Sequence, residues 1–292
     1  MRTSAGPAGG RSMRRGARYA LLVLLAAVSL GDVVAAEPRT RALRPNLRPL
    51  APGSFISPRD GVDPNYTFGG SFTVGGCTAD EVARKLARRC LRFDSALANL
   101  GRGPLEVAYL ADADPAHPGP AAYQRIYRTD DSYKSRFAIE TEYHPTHLHF
   151  HIKDMYVAKM WKVNKRQRVV GDEPLARSDK NGFCPEDTAP YVASAPDPNY
   201  SCFGGSGAGS DGALQVVGIT AGWADVYPHY LPDQYIEIDG LKNGRYLFEL
   251  EVDPNNVFVE SSETDNRVCV LLELQGSSAS TLGERKCPAL SS

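Results

Sequence analysis

No stretch of this 292-residue chain is apolar for long enough to cross a bilayer, which takes about 20 consecutive apolar residues in a helix. No long amphipathic helical pattern and no repeat of fixed period runs through it, which argues against helical and solenoid architectures. Its six cysteines include no Cys-x-x-Cys pair, so they make poor metal ligands. A basic excess is missing too. The formal net charge is −1, from 33 Lys+Arg and 34 Asp+Glu. Setting aside residues 1–36 removes five arginines and one aspartate, leaving 28 basic against 33 acidic residues, or −5. That balance argues against a nucleic-acid partner. Histidine is scarce as well, six in all, yet four of the six fall between residues 144 and 151.

What is present begins with a targeting signature. Arg14, Arg15 and Arg18 form a basic region, Tyr19 to Leu30 a short apolar one, and Val34-Ala35-Ala36 offers small residues before a cut near Glu37. Residues 1–36 are therefore expected to be a secretory signal peptide and the protein to be secreted, with no membrane span. In that setting an even cysteine count implies disulfides. Six cysteines allow 15 connectivities; the spacing suggests the local pairs Cys77–Cys90, Cys184–Cys202 and Cys269–Cys287. Asn65-Tyr66-Thr67 and Asn199-Tyr200-Ser201 are glycosylation sequons.

Residues 37–64, rich in Pro and Arg and weak in periodicity, read as a linker. Thr78-Ala79-Asp80-Glu81 resembles a helix start, with Thr78 as cap, so one short helix is expected to end near Cys90. The rest alternates or turns. Residues 164–213 form a long irregular segment. In the last third, Tyr235 to Ile238, Tyr246 to Val252 and Arg267 to Leu272 read as strands, with Lys242-Asn243-Gly244 as a hairpin signal. The fold class expected is mostly β: a single sandwich-like domain with long irregular loops and disulfides.

The chemistry concentrates in Tyr143-His144-Pro145-Thr146-His147-Leu148-His149-Phe150-His151-Ile152. In an extended strand successive side chains point to opposite faces, so His147, His149 and His151 share one face, with Leu148, Phe150 and Ile152 behind them. Neutral imidazole is a common transition-metal ligand, and three nitrogens with an open position suit a catalytic metal. Same-face neighbours on a flat strand lie roughly 7 Å apart, so a twist or bulge must draw them together. The strand is expected to continue through Met155-Tyr156-Val157.

Four stretches resemble the lysyl oxidase family, the copper- and quinone-dependent oxidases of peptidyl lysine. They are His144-x-x-His147-x-His149-x-His151; Lys180-Asn181-Gly182-Phe183-Cys184-Pro185-Glu186-Asp187-Thr188; Gly222-Trp223-Ala224-Asp225-Val226-Tyr227 with the strand Gln234 to Ile238; and Leu250 to Pro254 through Glu260, Asn266 and Cys269. The resemblance implies a catalytic domain over residues 65–292, a copper ion on His147, His149 and His151, and a lysine tyrosylquinone made from Lys180 and Tyr227. His144 falls near the site without binding the metal. A primary amine, with lysine residues of extracellular proteins as one candidate source, and O₂ would be the partners in an oxidative deamination yielding aldehyde, ammonia and H₂O₂. Asp225 and Asp154 are the candidate bases, and Tyr230 the alternative quinone precursor. This chain departs from vertebrate members at Thr146 and near Pro190, where they carry cysteine, and at Ala158 and Pro228.

Two other readings stand beside this one. The tail around Asp253 and Asn266 is also similar to Ig-like adhesion domains, which would make the chain an extracellular metal-binding or structural module without redox activity. A cupin-type metalloenzyme would need a second Glu/His motif, and none is found.

Overall fold

A computed structural model of the chain describes residues 40–52, 72–75, 77, 89–110, 119–144, 149–202 and 213–289. Those residues contain eighteen strands and no helix. The short helix expected after Thr78 falls on residues 78–88, outside the described residues.

The strands fall into four antiparallel sheets. The first runs β13 (Leu214–Ile219), β6 (Leu105–Leu110), β7 (Ala121–Arg128), β8 (Tyr133–His144) and β9 (His149–Ile152), with β1 (Ala42–Leu43) also on β7. The second runs β11 (Ala176–Arg177), β10 (Tyr156–Lys162), β16 (Gly244–Val252), β17 (Arg267–Gln275) and β18 (Ser278–Arg285). A four-stranded sheet holds β12 (Ala189–Pro190), β14 (Trp223–Tyr227), β5 (Ser95–Asn99) and β2 (Leu47–Leu50). The last holds β15 (Tyr235–Glu237), β4 (Cys90–Phe93) and β3 (Phe72–Gly75).

One continuous core joins the sheets, including Leu47, Phe93, Ile152, Met160, Ile236, Phe248 and Phe258. The Phe93 and Phe248 rings meet at 5.0 Å between β4 and β16. Tyr246 through Val252 of β16 are all buried. Burial on both faces takes in Glu249 and Glu251 as well, so these carboxylates need partners. Lys159 of β10 bonds both, and Arg267 of β17 bonds Glu249 at 3.0 Å.

All three expected disulfides are present: Cys77–Cys90, Cys184–Cys202 and Cys269–Cys287. Three local expectations are revised. Within the segment read as linker, Leu47–Leu50 is a full sheet strand, because its Leu47 and Leu50 are buried against β5 and the core. The histidine strand stops at Ile152. Asp154 takes a left-handed turn (φ 51°), and Tyr156 starts a strand of another sheet. Asn243-Gly244 closes no hairpin, since β15 pairs with β4 and β16 with β10 and β17. The Asn243 side chain instead accepts the Gly276 N–H in the turn between β17 and β18.

Candidate active site

β8 and β9 form the first wall. Their register places His144 opposite His149 and Glu142 opposite His151. His149 and His151 lie closer than a flat strand allows: their ring centroids are 5.0 Å apart and their Nε2 atoms 3.1 Å apart. Two nitrogens each about 2.0–2.1 Å from one ion stand about 3 Å apart in a tetrahedral or tetragonal shell. The pair thus fits a shared transition metal by spacing and by donor chemistry. His144 stacks on His151 at 4.6 Å, and its Nε2 lies 3.4 Å from Asp233 Oδ2. His147 lies outside the described residues.

The second wall is residues 179–188. Backbone bonds lay it along the end of β9: Ile152 N–H donates to Phe183 at 3.0 Å, and Tyr156 N–H to Asn181 at 3.1 Å. Gly182 permits this approach, because a Cβ there would stand 2.8 Å from the Ile152 carbonyl oxygen. The far end of the segment is tied to β14. Glu186 N–H donates to Asp225 Oδ2 at 3.2 Å, and Thr188 N–H to the Ala224 carbonyl at 3.2 Å. One irregular segment therefore bridges the histidine strand and the strand that carries Tyr227.

Lys180 and Tyr227 meet at this bridge. Lys180 Nζ lies over the Tyr227 ring, 4.8 Å from its centroid. Lys180 is only 7 % exposed, and its Nζ has no hydrogen-bond partner among the described residues. Burial pushes its pKa down to about 8, with Asp233 and Asp225 pulling the other way. Burial raises the Tyr227 phenol well above its ordinary range, and Asp225 and Glu186 add to this. The phenol donates to the Cys184 carbonyl at 3.2 Å, and Phe183 packs at 5.4 Å. A buried ammonium without a hydrogen bond is costly, so the site suits a neutral or chemically altered amine.

The remaining sequence candidates separate. Asp225 is 1 % exposed and flanks Tyr227 along β14, around a void of about 20 Å³ shared with Tyr156 and Phe183. Burial raises its pKa well above the ordinary value, and Glu186 adds to this. Asp154 accepts hydrogen bonds from the side-chain amides of Asn181 (2.6 Å) and Asn255 (3.0 Å). It orients the residue next to Lys180. Tyr230 is 62 % exposed and turned toward His229, whereas Tyr227 lies against Lys180.

Between the walls is a pocket of about 160 Å³, lined by residues that include His144, His151, Lys180 and Asp233. Asp233 was missed in the sequence. It follows Pro232 in a loop without periodicity and stands at φ 64°. Aspartate tolerates that region better than most residues, but no pattern announces it. Its neighbour Gln234 anchors the loop, donating to Ser95 Oγ at 2.7 Å and accepting from the Tyr156 phenol at 3.2 Å.

Comparison with known proteins adds an independent line. The profile of the family described as lysyl oxidase matches residues 127–283. Protein-lysine 6-oxidase of Homo sapiens is 28 % identical over 141 residues, covering 48 % of this chain and 30 % of that protein. Lysyl oxidase homolog 3 of Homo sapiens is 26 % identical over 181 residues, 61 % of this chain and 18 % of that protein. Lysyl oxidase homolog 2A of Danio rerio is 28 % identical over 127 residues, 42 % of this chain and 14 % of that protein. The chain thus matches less than a third of the length of each of these relatives.

Proposed function

The chain belongs to the lysyl oxidase family, and from that premise we propose that it is an extracellular copper- and quinone-dependent amine oxidase. The observation that carries the reading is the buried Lys180 amine, without a hydrogen bond among the described residues, 4.8 Å from the centre of the Tyr227 ring. The reaction converts R–CH₂–NH₂, O₂ and H₂O into R–CHO, NH₃ and H₂O₂.

In this reading His147, His149 and His151 hold copper, and Lys180 and Tyr227 form a lysine tyrosylquinone. Copper supplies the activation of O₂, and the quinone supplies a two-electron acceptor that no ordinary side chain offers. The chain's own residues prepare both. Burial keeps a usable fraction of Lys180 neutral near pH 8, the state in which an amine is a nucleophile. Phe183 and the Cys184 carbonyl fix the ring of Tyr227. Asp225, beside that ring and buried, is the carboxylate placed to hold or accept a proton at Oδ1, which has no hydrogen-bond partner among the described residues. A raised pKa suits that role. His144, stacked on His151, keeps the imidazole plane fixed.

The homologues named for protein lysine support a primary-amine substrate, with peptidyl lysine first among the candidates. The disulfide-bonded chain suits an oxidising compartment, and residues 1–36 fit a secretory signal.

The mass of tryptic peptides from protein purified with copper tests the reading. A covalent peptide joining Lys180 to Tyr227, with the oxidative mass change, is the expected result. Two separate, unmodified peptides from a copper-loaded sample would overturn it and leave a metal-binding β domain.

A further inference from the structure

The β7–β8 hairpin leaves a sheet edge open, and that edge runs toward the pocket. In its three-residue loop Arg128 N–H donates to the Ser132 carbonyl at 2.8 Å and Asp131 N–H to the Arg128 carbonyl at 3.1 Å, with Asp131 at φ 62°. Arg128 and Ser132 are thus a hydrogen-bonded pair. Alternation then turns the backbone groups of Lys134 and Arg136 toward β7 and those of Tyr133, Ser135 and Phe137 away from it. β9 covers the other edge of β8 only from Thr141 onward, and Lys153 N–H reaches the Glu140 carbonyl at 3.4 Å. No backbone hydrogen bond among the described residues meets the outward groups of Tyr133, Ser135 or Phe137. Residues 133–137 are all exposed, on both faces.

Those faces differ. Tyr133 and Phe137, 49 % and 52 % exposed, share one face with Tyr123, whose ring meets Phe137 at 6.0 Å. The cations Lys134 and Arg136 share the other. Phe137 stands opposite Tyr123 and Ile139 opposite Ala122, so β8 carries one extra residue between them. That bulge puts Glu140, Glu142 and His144 on the face of Tyr133 and Phe137. Glu142 and His144 line the pocket. One face of β8 therefore leads from the open edge into the pocket, with Glu142 roughly 15 Å beyond Phe137 at about 3.3 Å per residue.

A row of outward N–H and C=O groups is matched by another extended backbone. A second copy of this chain fits poorly. Antiparallel self-pairing about Ser135 would set Lys134 of each copy against Arg136 of the other, and like charges directly opposite are destabilising. A strand with acidic side chains on that face and apolar ones against Tyr133 and Phe137 satisfies backbone, charge and apolar surface together.

We propose that the open edge of β8 docks an extended segment of the protein substrate, acidic and apolar by turns. The segment lies antiparallel to β8 and in line with β9, so a lysine on its N-terminal side reaches the pocket. The substrate role rests on the amine-oxidase reading of the site; the docking itself rests on the edge.

The lysine-free peptide acetyl-Val-Glu-Val-Glu-Val-amide tests docking without turnover, by calorimetry on the copper-loaded full-length chain. Paired antiparallel, its valines exchange hydrogen bonds with Tyr133, Ser135 and Phe137, and its glutamates face Lys134 and Arg136. N-methylation of the valines is expected to weaken binding about tenfold or more, and N-methylation of the glutamates to leave it within about twofold. Lys134→Glu should weaken the acidic peptide and favour acetyl-Val-Arg-Val-Arg-Val-amide. Ser135→Pro removes an outward N–H at an edge position, where proline is tolerated, and should abolish binding of both. A thermal melt verifies that each variant is folded. Lys165→Glu, exposed and outside β8, should change nothing. No binding by the parent chain, or equal effects of the two N-methylation patterns, overturns the proposal. So does a dimer in sedimentation that Ser135→Pro dissolves, which would assign the edge to a second copy.

Turnover is then measured on acetyl-Lys-Gly-Ser-Gly-Val-Glu-Val-Glu-Val-amide. Its kcat/KM is expected to exceed that of the N-methylvaline version by about tenfold, and Ser135→Pro to remove the difference. Equal kcat/KM in the parent chain overturns the proposal while leaving the oxidase reading intact. No turnover of either peptide sinks the oxidase reading, and the binding result still decides whether β8 docks a strand.

Discussion

Lys159 and Lys180 are buried alike, each 7 % exposed, and differ in everything else. Lys159 lies in the five-stranded sheet and bonds two carboxylates, Glu249 at 3.4 Å and Glu251 more closely, with Arg267 completing the set. Lys180 lies on an irregular segment, its Nζ donates no hydrogen bond among the described residues, and it faces the ring of a buried tyrosine. A buried charge with its partners is a structural element. A buried amine without them loses its proton easily and becomes a reagent. The difference separates the half of the molecule that holds the fold from the half arranged for chemistry.

The largest effect that would sharpen this contrast is on activity. Lys180→Met in copper-loaded protein is expected to reduce H₂O₂ release from a primary amine by about a thousandfold or more, since the two-electron acceptor is lost with it. A peroxide-coupled assay with matched copper content checks this. Retention of even a tenth of the rate would break the contrast at its functional end.

The reciprocal change belongs to stability. Lys159→Met takes the cation from Glu251 and leaves Glu249 with Arg267, and removal of one partner of a buried ion pair costs about 3–5 kcal/mol. Urea unfolding reads it directly. A loss below about 1 kcal/mol would mean that Lys159 is no more structural than Lys180.

The sequence made one half of this legible. Alternation identified the histidine strand only from His149 to Ile152, since Tyr143 and His144 lie on the antiparallel neighbour β8, and the crowding of imidazoles drew attention to the place where Lys180 and Tyr227 later meet. Local cysteine spacing matched all three disulfides. Those signals are short-range, carried by neighbours along one strand or one loop. What could not be read depends on long-range contacts. Leu47–Leu50 forms a strand because β5 is there to receive it, and nothing in its Pro/Arg-rich context says so. Asp233 reaches the pocket because Gln234 is held by Ser95, 139 residues away in the chain. Glu249 looks like the polar face of an alternating strand, and only the arrival of Lys159 and Arg267 makes it part of the core. Local pattern gives elements; the pairing of charges across sheets is invisible until the sheets are assembled.

A third prediction concerns pH, in copper-free protein where Lys180 is unmodified. In the unfolded chain Lys180 holds its proton up to its ordinary value of 10.5, while in the fold it releases it from about 8. Between those values the unfolded state binds more protons, so this group makes the fold more stable as pH rises. Tyr227 works in the opposite sense above its ordinary value of 10.0, because its folded pKa is raised and the unfolded chain ionises first. The clean window is therefore pH 8 to 10. Lys180→Met should be more stable than the parent at pH 7 by up to about 3 kcal/mol, and the gap should narrow by about 2–3 kcal/mol by pH 10. Parallel stability curves for the two proteins across that range would show that Lys180 is not held deprotonated by the fold. Lys159→Met serves as the contrast, since its loss is one of partners.

The smallest expected effect isolates burial from pairing. Arg177 and Glu173 form an ion pair at 3.1 Å whose side chains are 53 % and 84 % exposed. Its distance is shorter than that of Lys159 to Glu249, 3.4 Å, so if proximity alone set the energy, losing this pair would cost more than losing the Lys159–Glu249 contact. Water decides otherwise. The exposed pair gains little because each partner is nearly as well solvated alone, and such pairs are worth about 0–1 kcal/mol. Glu249 is fully buried and has no water to fall back on. Glu173→Gln should shift the urea midpoint barely outside error, and 1 M salt should erase the shift while leaving the cost of Lys159→Met largely intact. A Glu173→Gln loss comparable with that of Lys159→Met would show that distance, and not exclusion of water, governs both lysines.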